Sequence, residues 1–325
     1  MGARFRLTAG ALVMGAALCT GAAAGRVVGP TGHRAAHPRS FAPPASAADV
    51  ATDAAADPHA AHRAGPDTAV DQGSSAGPAG AAGATEGLLA TAGGYTLTAE
   101  STLLDGLAGT PFRFRITDPS GAVVHDYAVA HERPLHLVVV ARDLAVYHHL
   151  HPLLGPDGTW AVPLPALTPG AYRAVADLTV AGGPALTLGV DLFVPGGALY
   201  SPLPPPSGLV AVHGYDVSLT GAPALGEGGE VALTVTTGGE PVTDLEPYLG
   251  ASGHLVAIRS SDLAFVHVHP AGDEAAPTAG AGAGPTVRFH VAVSAPGDYR
   301  MFFEFAHAGV VHVAPFTVHV PPPPP

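Results

Sequence analysis

Beyond residue 90 the chain reads as short apolar runs broken by Gly, Pro and Asp, and no window sustains the 3.6-residue repeat of an amphipathic helix. Such runs, bounded by turn residues, predict strands over 95–99, 111–116, 123–129, 135–141, 145–151, 159–162, 172–180 and 187–194. The same order recurs over 215–219, 230–236, 254–258, 263–269, 287–293, 299–306 and 311–320. The expected fold is all-β, with two tandem immunoglobulin-like β-sandwiches at 91–195 and 210–320, each of about 100 residues with frequent turn signals. Between them, 196–209 contains Pro204-Pro205-Pro206, the mark of a semi-rigid linker.

The two copies are related residue by residue. His136-Leu-Val-Val-Val-Ala-Arg-Asp-Leu-Ala-Val-Tyr-His-His149-Leu-His151-Pro152 aligns without a gap on His254-Leu-Val-Ala-Ile-Arg-Ser-Ser-Asp-Leu-Ala-Phe-Val-His267-Val-His269-Pro270. Further on, Pro169-Gly-Ala-Tyr172-Arg173 matches Pro296-Gly-Asp-Tyr299-Arg300.

The ends have a different texture. Arg4 and Arg6 precede an apolar run that closes on Ala22-Ala23-Ala24, so residues 1–24 read as a signal peptide, or as an anchor through residues 7–24 if uncleaved. Residues 25–90 are Ala/Gly/Pro-rich and poor in large apolar side chains, hence expected to be disordered. Residues 321–325 form a polyproline tail. An exported protein, extracellular or at the cell surface, follows.

Charge and residue usage narrow the function. The formal net charge is −12 and every basic residue is Arg, which disfavours nucleic acid as a partner and leaves the membrane only the N-terminal segment. The one cysteine, Cys19, falls in the apolar leader, so the remainder has no disulfide, thiolate site or cysteine nucleophile. Histidine is the abundant functional residue, at 18 copies.

Each copy carries the spacing H-x12-H-x-H-P. With a two-residue turn at Arg142-Asp143, His136 faces His149 across a hairpin and His151 lies two residues along the same face. With a turn at Ser260-Ser261, His254, His267 and His269 converge in the same way. Three neutral imidazoles on one face suit Cu(II) or Zn(II), each ring offering one nitrogen lone pair. His131, His148, His307 and His312 are additional candidate ligands. Glu132, Asp143 and Asp262 are candidate acidic partners for the ligand rings. The same face nearer the turn is apolar, through Val138, Val140 and Tyr147 in one copy and Val256, Ile258 and Phe265 in the other. Each cluster is therefore expected at a sandwich rim beside its core.

The segments His131-Glu-Arg-Pro-Leu-His136-Leu-Val-Val-Val, Asp143-Leu-Ala-Val-Tyr-His148-His-Leu-His151-Pro, Pro241-Val-Thr-Asp-Leu-Glu-Pro-Tyr248-Leu-Gly and Gly253-His254-Leu-Val-Ala-Ile resemble the tandem-domain secreted or membrane-anchored proteins of actinobacteria. More distantly they are similar to YtkA-like domains and to periplasmic copper-resistance β-sandwiches. The resemblance covers about residues 93–320 and implies export and a β-sandwich fold more firmly than any particular metal. The chain departs from the copper-resistance proteins in lacking a ligand histidine at a mature N-terminus.

The leading expectation is an exported, non-enzymatic metal-binding protein that buffers or delivers Cu(II) or Zn(II) in the cell envelope, with another envelope metal-handling protein as its partner. The alternative is a metal-free structural or partner-binding sandwich of the cell surface. A cupin-like metalloenzyme fits less well: His267-Val-His269 followed by Glu274 fits the first cupin motif only in part, no Gly precedes at the required spacing, and no second His motif follows. The chain also lacks a G-x-S-x-G motif and a P-loop.

Overall fold

The computed structural model of the chain describes residues 86–266, 268–270 and 284–324, with only the backbone of His269 and Pro270. The readings for residues 1–85, including the signal segment, lie outside the described residues. The described residues form two tandem immunoglobulin-like β-sandwiches and contain no helix.

The first sandwich contains β1 (Thr91–Ala92), β2 (Tyr95–Ala99), β3 (Pro111–Thr117), β4 (Tyr127–Ala128) and β5 (Leu135–Ala141). It continues with β6 (Tyr147–Leu150), β7 (Leu153–Leu154), β8 (Trp160–Pro163), β9 (Gly170–Val180) and β10 (Ala185–Val194). One sheet has the order β1-β2-β3-β8-β7 and the facing sheet β10-β9-β5-β6, with β4 on β9.

The second sandwich contains β11 (Leu209–Val212), β12 (Tyr215–Gly221), β13 (Ala224–Leu225), β14 (Gly229–Thr237), β15 (Glu240–Pro241) and β16 (His254–Arg259). It ends with β17 (Phe265–Val266), β18 (Val268–Pro270), β19 (Thr286–Val293), β20 (Gly297–His307) and β21 (Val310–Val320). Its sheets run β11-β12-β14-β19-β13, with β15 on β14 and β18 on β19, and β17-β16-β20-β21. Two expected strands differ from those observed. The 123–129 run forms a strand only at Tyr127–Ala128, with Val123 held by an isolated bridge to Thr117, and the 263–269 run divides, because the chain leaves β16 after Val266 and joins β19 in the opposite sheet.

Alternation along the central strands explains how the sandwiches pack. On β5, Leu135, Leu137, Val139 and Ala141 enter the first core, and on β16, Leu255 and Ala257 enter the second. The opposite faces are apolar too, and they meet each other. Val138, Val140, Leu144 and Val175 from the first sandwich form one buried cluster with Val256, Ile258, Leu263, Phe265 and Phe302 from the second. Tyr147 stacks on Phe302 at 4.0 Å between ring centroids. This third apolar layer leaves β5 buried on both faces along its whole length. The face expected to bound each sandwich's own core is therefore the seam between the two.

Residues 86–90, the end of the stretch expected to be disordered, are a strap over this seam. Glu86 C=O accepts from Phe265 N–H at 2.7 Å in the second sandwich, and Leu89 C=O accepts from Gly189 N–H at 2.9 Å in the first. The Arg173 guanidinium donates to the carbonyls of Gly87 and Leu88. A Cβ on Gly189 would lie 1.8 Å from Gly87 O, so only glycine admits the strap there. The expected linker is also tied down: Ser201 N–H donates to Asp143 Oδ2 at 2.7 Å, and Leu203 packs on the seam.

We expect Phe302→Ala, which empties the centre of the seam, to cost about 3–5 kcal/mol of unfolding free energy in urea titrations. A loss below about 1 kcal/mol would show that the seam contributes little to stability.

Candidate metal centre

The β5–β6 hairpin carries the first histidine set, in a register two residues away from the expected one. Ala141 N–H donates to Val146 C=O at 2.9 Å, closing a loop of four residues, 142–145, with Leu144 in the left-handed region at φ 61°. Val138, and not His136, therefore faces His149, and Val140 faces Tyr147. A slip of one residue would have turned the ligands away, whereas a slip of two keeps the same face. His136, His149 and His151 thus still meet, with ring centroids 4.9–5.1 Å apart.

The second hairpin has the same register, Ala257 facing Val266 and Ile258 facing Phe265. Of the second histidine set, only the His254 side chain is among the described residues. His254 points across the seam, its ring 4.9 Å from that of His149 and 5.9 Å from that of His136. The His269 backbone pairs with His290 in the opposite sheet, while His267 and the His269 side chain lie outside the described residues. One composite cluster spanning both sandwiches is what the described residues contain.

His131 completes it, within 6.0 Å of His136 and 5.9 Å of His254 between ring centroids. It lies in a tight turn closed by reciprocal hydrogen bonds between Ala130 and Arg133, with His131 at φ 48° and Glu132 at φ 64°. Two successive non-glycine residues in that region are strained. The turn aims the Ala130 carbonyl at His136.

The hydrogen bonds fix the tautomers. Ala130 C=O can only accept, so His136 Nε2–H donates to it, at 3.0 Å. The Glu304 carboxylate accepts from His149 Nδ1–H at 2.8 Å. A neutral imidazole has one N–H, so His136 Nδ1 and His149 Nε2 both present lone pairs, and they face each other at 2.9 Å. Two lone pairs at that distance repel unless a cation or a proton lies between them.

Candidate ligand nitrogens of His136, His149 and His151 all lie within 4.8 Å of one another. Nitrogens bound to one ion at ~2.0 Å are at most ~4 Å apart, so closure by less than about 1 Å converts the cluster to a ligand set. His151 Nε2 is buried with no hydrogen-bond partner. A cavity of about 30 Å³ lined by His131, His136, His149 and His254 has room for a water molecule or a bare ion.

Burial sets the electrostatics. Desolvation, followed by the neighbouring His149, lowers the His136 pKa to about 3, and the same causes with Arg133 lower that of His151 to about 4. His254 is pushed well below the usual histidine range by burial and then by His149, His136, His131 and His151. Tyr147, buried and hydrogen-bonded to Glu304 at 2.9 Å, is pushed well above the ordinary phenol range and remains a donor.

The other candidates lie elsewhere. His148 faces the first core, opposite Val139. His312 pairs with Phe305, on the face of β20 opposite Glu304, and contacts His213 through its Nδ1 at 3.2 Å. His307 accepts from Tyr215 Oη–H at 2.7 Å and donates to Asp244 at 3.2 Å. Neither His307 nor His312 joins His254, because strand alternation sends them to the other side of the sheet. Of the acidic candidates, Asp143 caps its own turn and Asp262 chelates Arg259. Glu304 does what was expected of them, and its one sequence signal is a carboxylate inside the apolar run Met301-Phe-Phe-Glu304-Phe-Ala306.

Comparison with known proteins adds little to this geometry. A family described as a domain of unknown function (DUF8832) matches residues 210–322, the second sandwich. No curated protein matches the chain. Among solved structures, the chain is similar to the Escherichia coli adhesin FdeC at 13% identity and a TM-score of 0.23, covering 70% of this chain and 64% of that one, less than two thirds of its length. It is similar to the Ig1-2 module of the Drosophila receptor protein tyrosine phosphatase DLAR at 10% identity and a TM-score of 0.19, covering 70% and 98%. Superpositions this loose say nothing about the site.

In the metal-free chain the lowered pKa values make stability depend on pH. The unfolded rings titrate near 6.5 and the folded His136 only near 3, so between those values the unfolded state binds more protons. Stability is therefore lost as pH falls below 6.5, at about 1.4 kcal/mol per pH unit for His136, with His151 and His254 acting in the same direction. Urea midpoints should drop steadily from neutral pH to about pH 5, and a constant midpoint would mean that the rings protonate freely in the folded state.

Proposed function

We propose that this chain is an exported, non-catalytic protein of the cell envelope whose paired sandwiches bind one Cu(II) or Zn(II) ion at their seam, for buffering or delivery. The observation that carries the reading is the convergence of the His136 and His149 lone pairs at 2.9 Å, beside the buried and unpartnered nitrogen of His151. His254 and His131 are the further nitrogen donors within reach. All-imidazole donors suit Cu(II) and Zn(II), and the Glu304–His149 bond is the carboxylate–histidine arrangement that orients metal ligands. Export rests on the N-terminal segment, with Arg4 and Arg6 ahead of an apolar run.

A second reading has its own support. A proton on His149 would also separate the facing nitrogens and make a buried ion pair with Glu304, both side chains being 2% exposed. The cluster would then be a metal-free polar lock between two sandwiches that serve as a surface scaffold. The exposed Leu103, Leu107 and Phe193 of the first sandwich would be its partner-facing residues.

Calorimetric titration of the untagged chain with Cu(II) or Zn(II) separates the two. The proposal expects one site per chain with micromolar or tighter affinity, abolished by His149→Ala. Two equal sites, or binding that survives His149→Ala, would place the metal elsewhere, and absence of binding would leave the metal-free scaffold.

A further inference from the structure

His149 belongs to the first sandwich, yet the group that orients it, Glu304, belongs to the second. Glu304 is buried at 2% exposure, and a carboxylate so placed needs donors. It has Tyr147 Oη–H on Oε1 at 2.9 Å and His149 Nδ1–H on Oε2 at 2.8 Å. Tyr147 and His149 alternate on one face of β6, so a single carboxylate from across the seam receives both. A carboxylate on the outer nitrogen of a histidine fixes the tautomer and makes the inner nitrogen a better ligand.

We infer that Glu304 is the positioning residue of the metal centre: by accepting His149 Nδ1–H it holds the Nε2 lone pair toward His136 and His151. This rests on the metal binding proposed above. A site whose triad lies wholly on the first sandwich is then completed only when the second sandwich is docked. Separating the seam would remove Glu304 from His149 and, with it, His254. Metal occupancy and docking of the sandwiches are therefore coupled, each favouring the other. A purely structural Glu304 would instead stabilise the seam without altering the ligand.

The test uses the full chain, with zinc chloride as the probe, in wild type, Glu304→Leu and Glu304→Gln. Glu304→Leu should weaken zinc binding toward about 100-fold, and Glu304→Gln, whose amide oxygen accepts the same N–H without a negative charge, toward about 10-fold. Nitrogen-15 signals of the metal-free protein should show His149 as the Nδ1–H tautomer in wild type and in Glu304→Gln, and as a mixture in Glu304→Leu. If Glu304→Leu does not fold, the Glu304→Gln affinity decides. Zinc bound by Glu304→Gln as tightly as by wild type would overturn this inference while leaving the proposed function standing. No zinc binding by wild type would overturn both.

Discussion

The structure depends on one packing decision: the outer faces of two central sheets are apolar, and they cover each other. A sandwich sheet usually turns its second face to water, and strands then alternate apolar and polar. Here β5 and β16 are apolar on both faces, and exposing Val138, Val140, Val256, Ile258 and Phe302 would forgo roughly 1.5–3 kcal/mol for each large side chain left in water. Burying them against the partner sheet turns two repeats into one body with three apolar layers. The strap from Glu86 and the tethered linker secure its edges.

The histidine cluster continues this seam and is polar where the seam is apolar. His136 follows Val138 and Val140 along β5, His149 follows Tyr147 along β6, and His254 and Glu304 follow Val256 and Phe302. The His136 and His254 imidazoles placed there lose water without gaining enough fixed acceptors, which is why the protonation of these two rings is suppressed. A buried group of neutral bases with inward lone pairs is a high-energy arrangement by itself. The strained His131-Glu132 turn belongs to the same arrangement, since it supplies the carbonyl that commits the His136 tautomer.

Among the described residues the two copies contribute unequally to one histidine cluster. Both hairpins keep the same register, but the second copy crosses to the opposite sheet after Val266, whereas the first stays in its sheet through Leu150. The second copy contributes to the shared centre through the start of β16 and through Glu304 on β20. In the first copy the matching position is Asp177, which faces His136 on β9 as Glu304 faces His254 on β20, on a side chain one carbon shorter. Only the glutamate reaches across to His149. A symmetric repeat has become an asymmetric interface.

Much of this is legible in the sequence. Apolar runs with period two, Gly and Pro at the breaks, and the repeated H-x12-H-x-H-P determined an all-β tandem fold and put His136, His149 and His151 on one face, because the parity of a strand survives an error of two residues in the turn. Tertiary structure alone decided which of two apolar faces looks inward. Periodicity marks a face as apolar and does not say what covers it, so Val138 and Val256 read as ordinary core. It also decided that His254 serves its neighbour's cluster and that Glu304 orients His149, since both contacts cross more than 100 residues of sequence and arise only when two sheets dock.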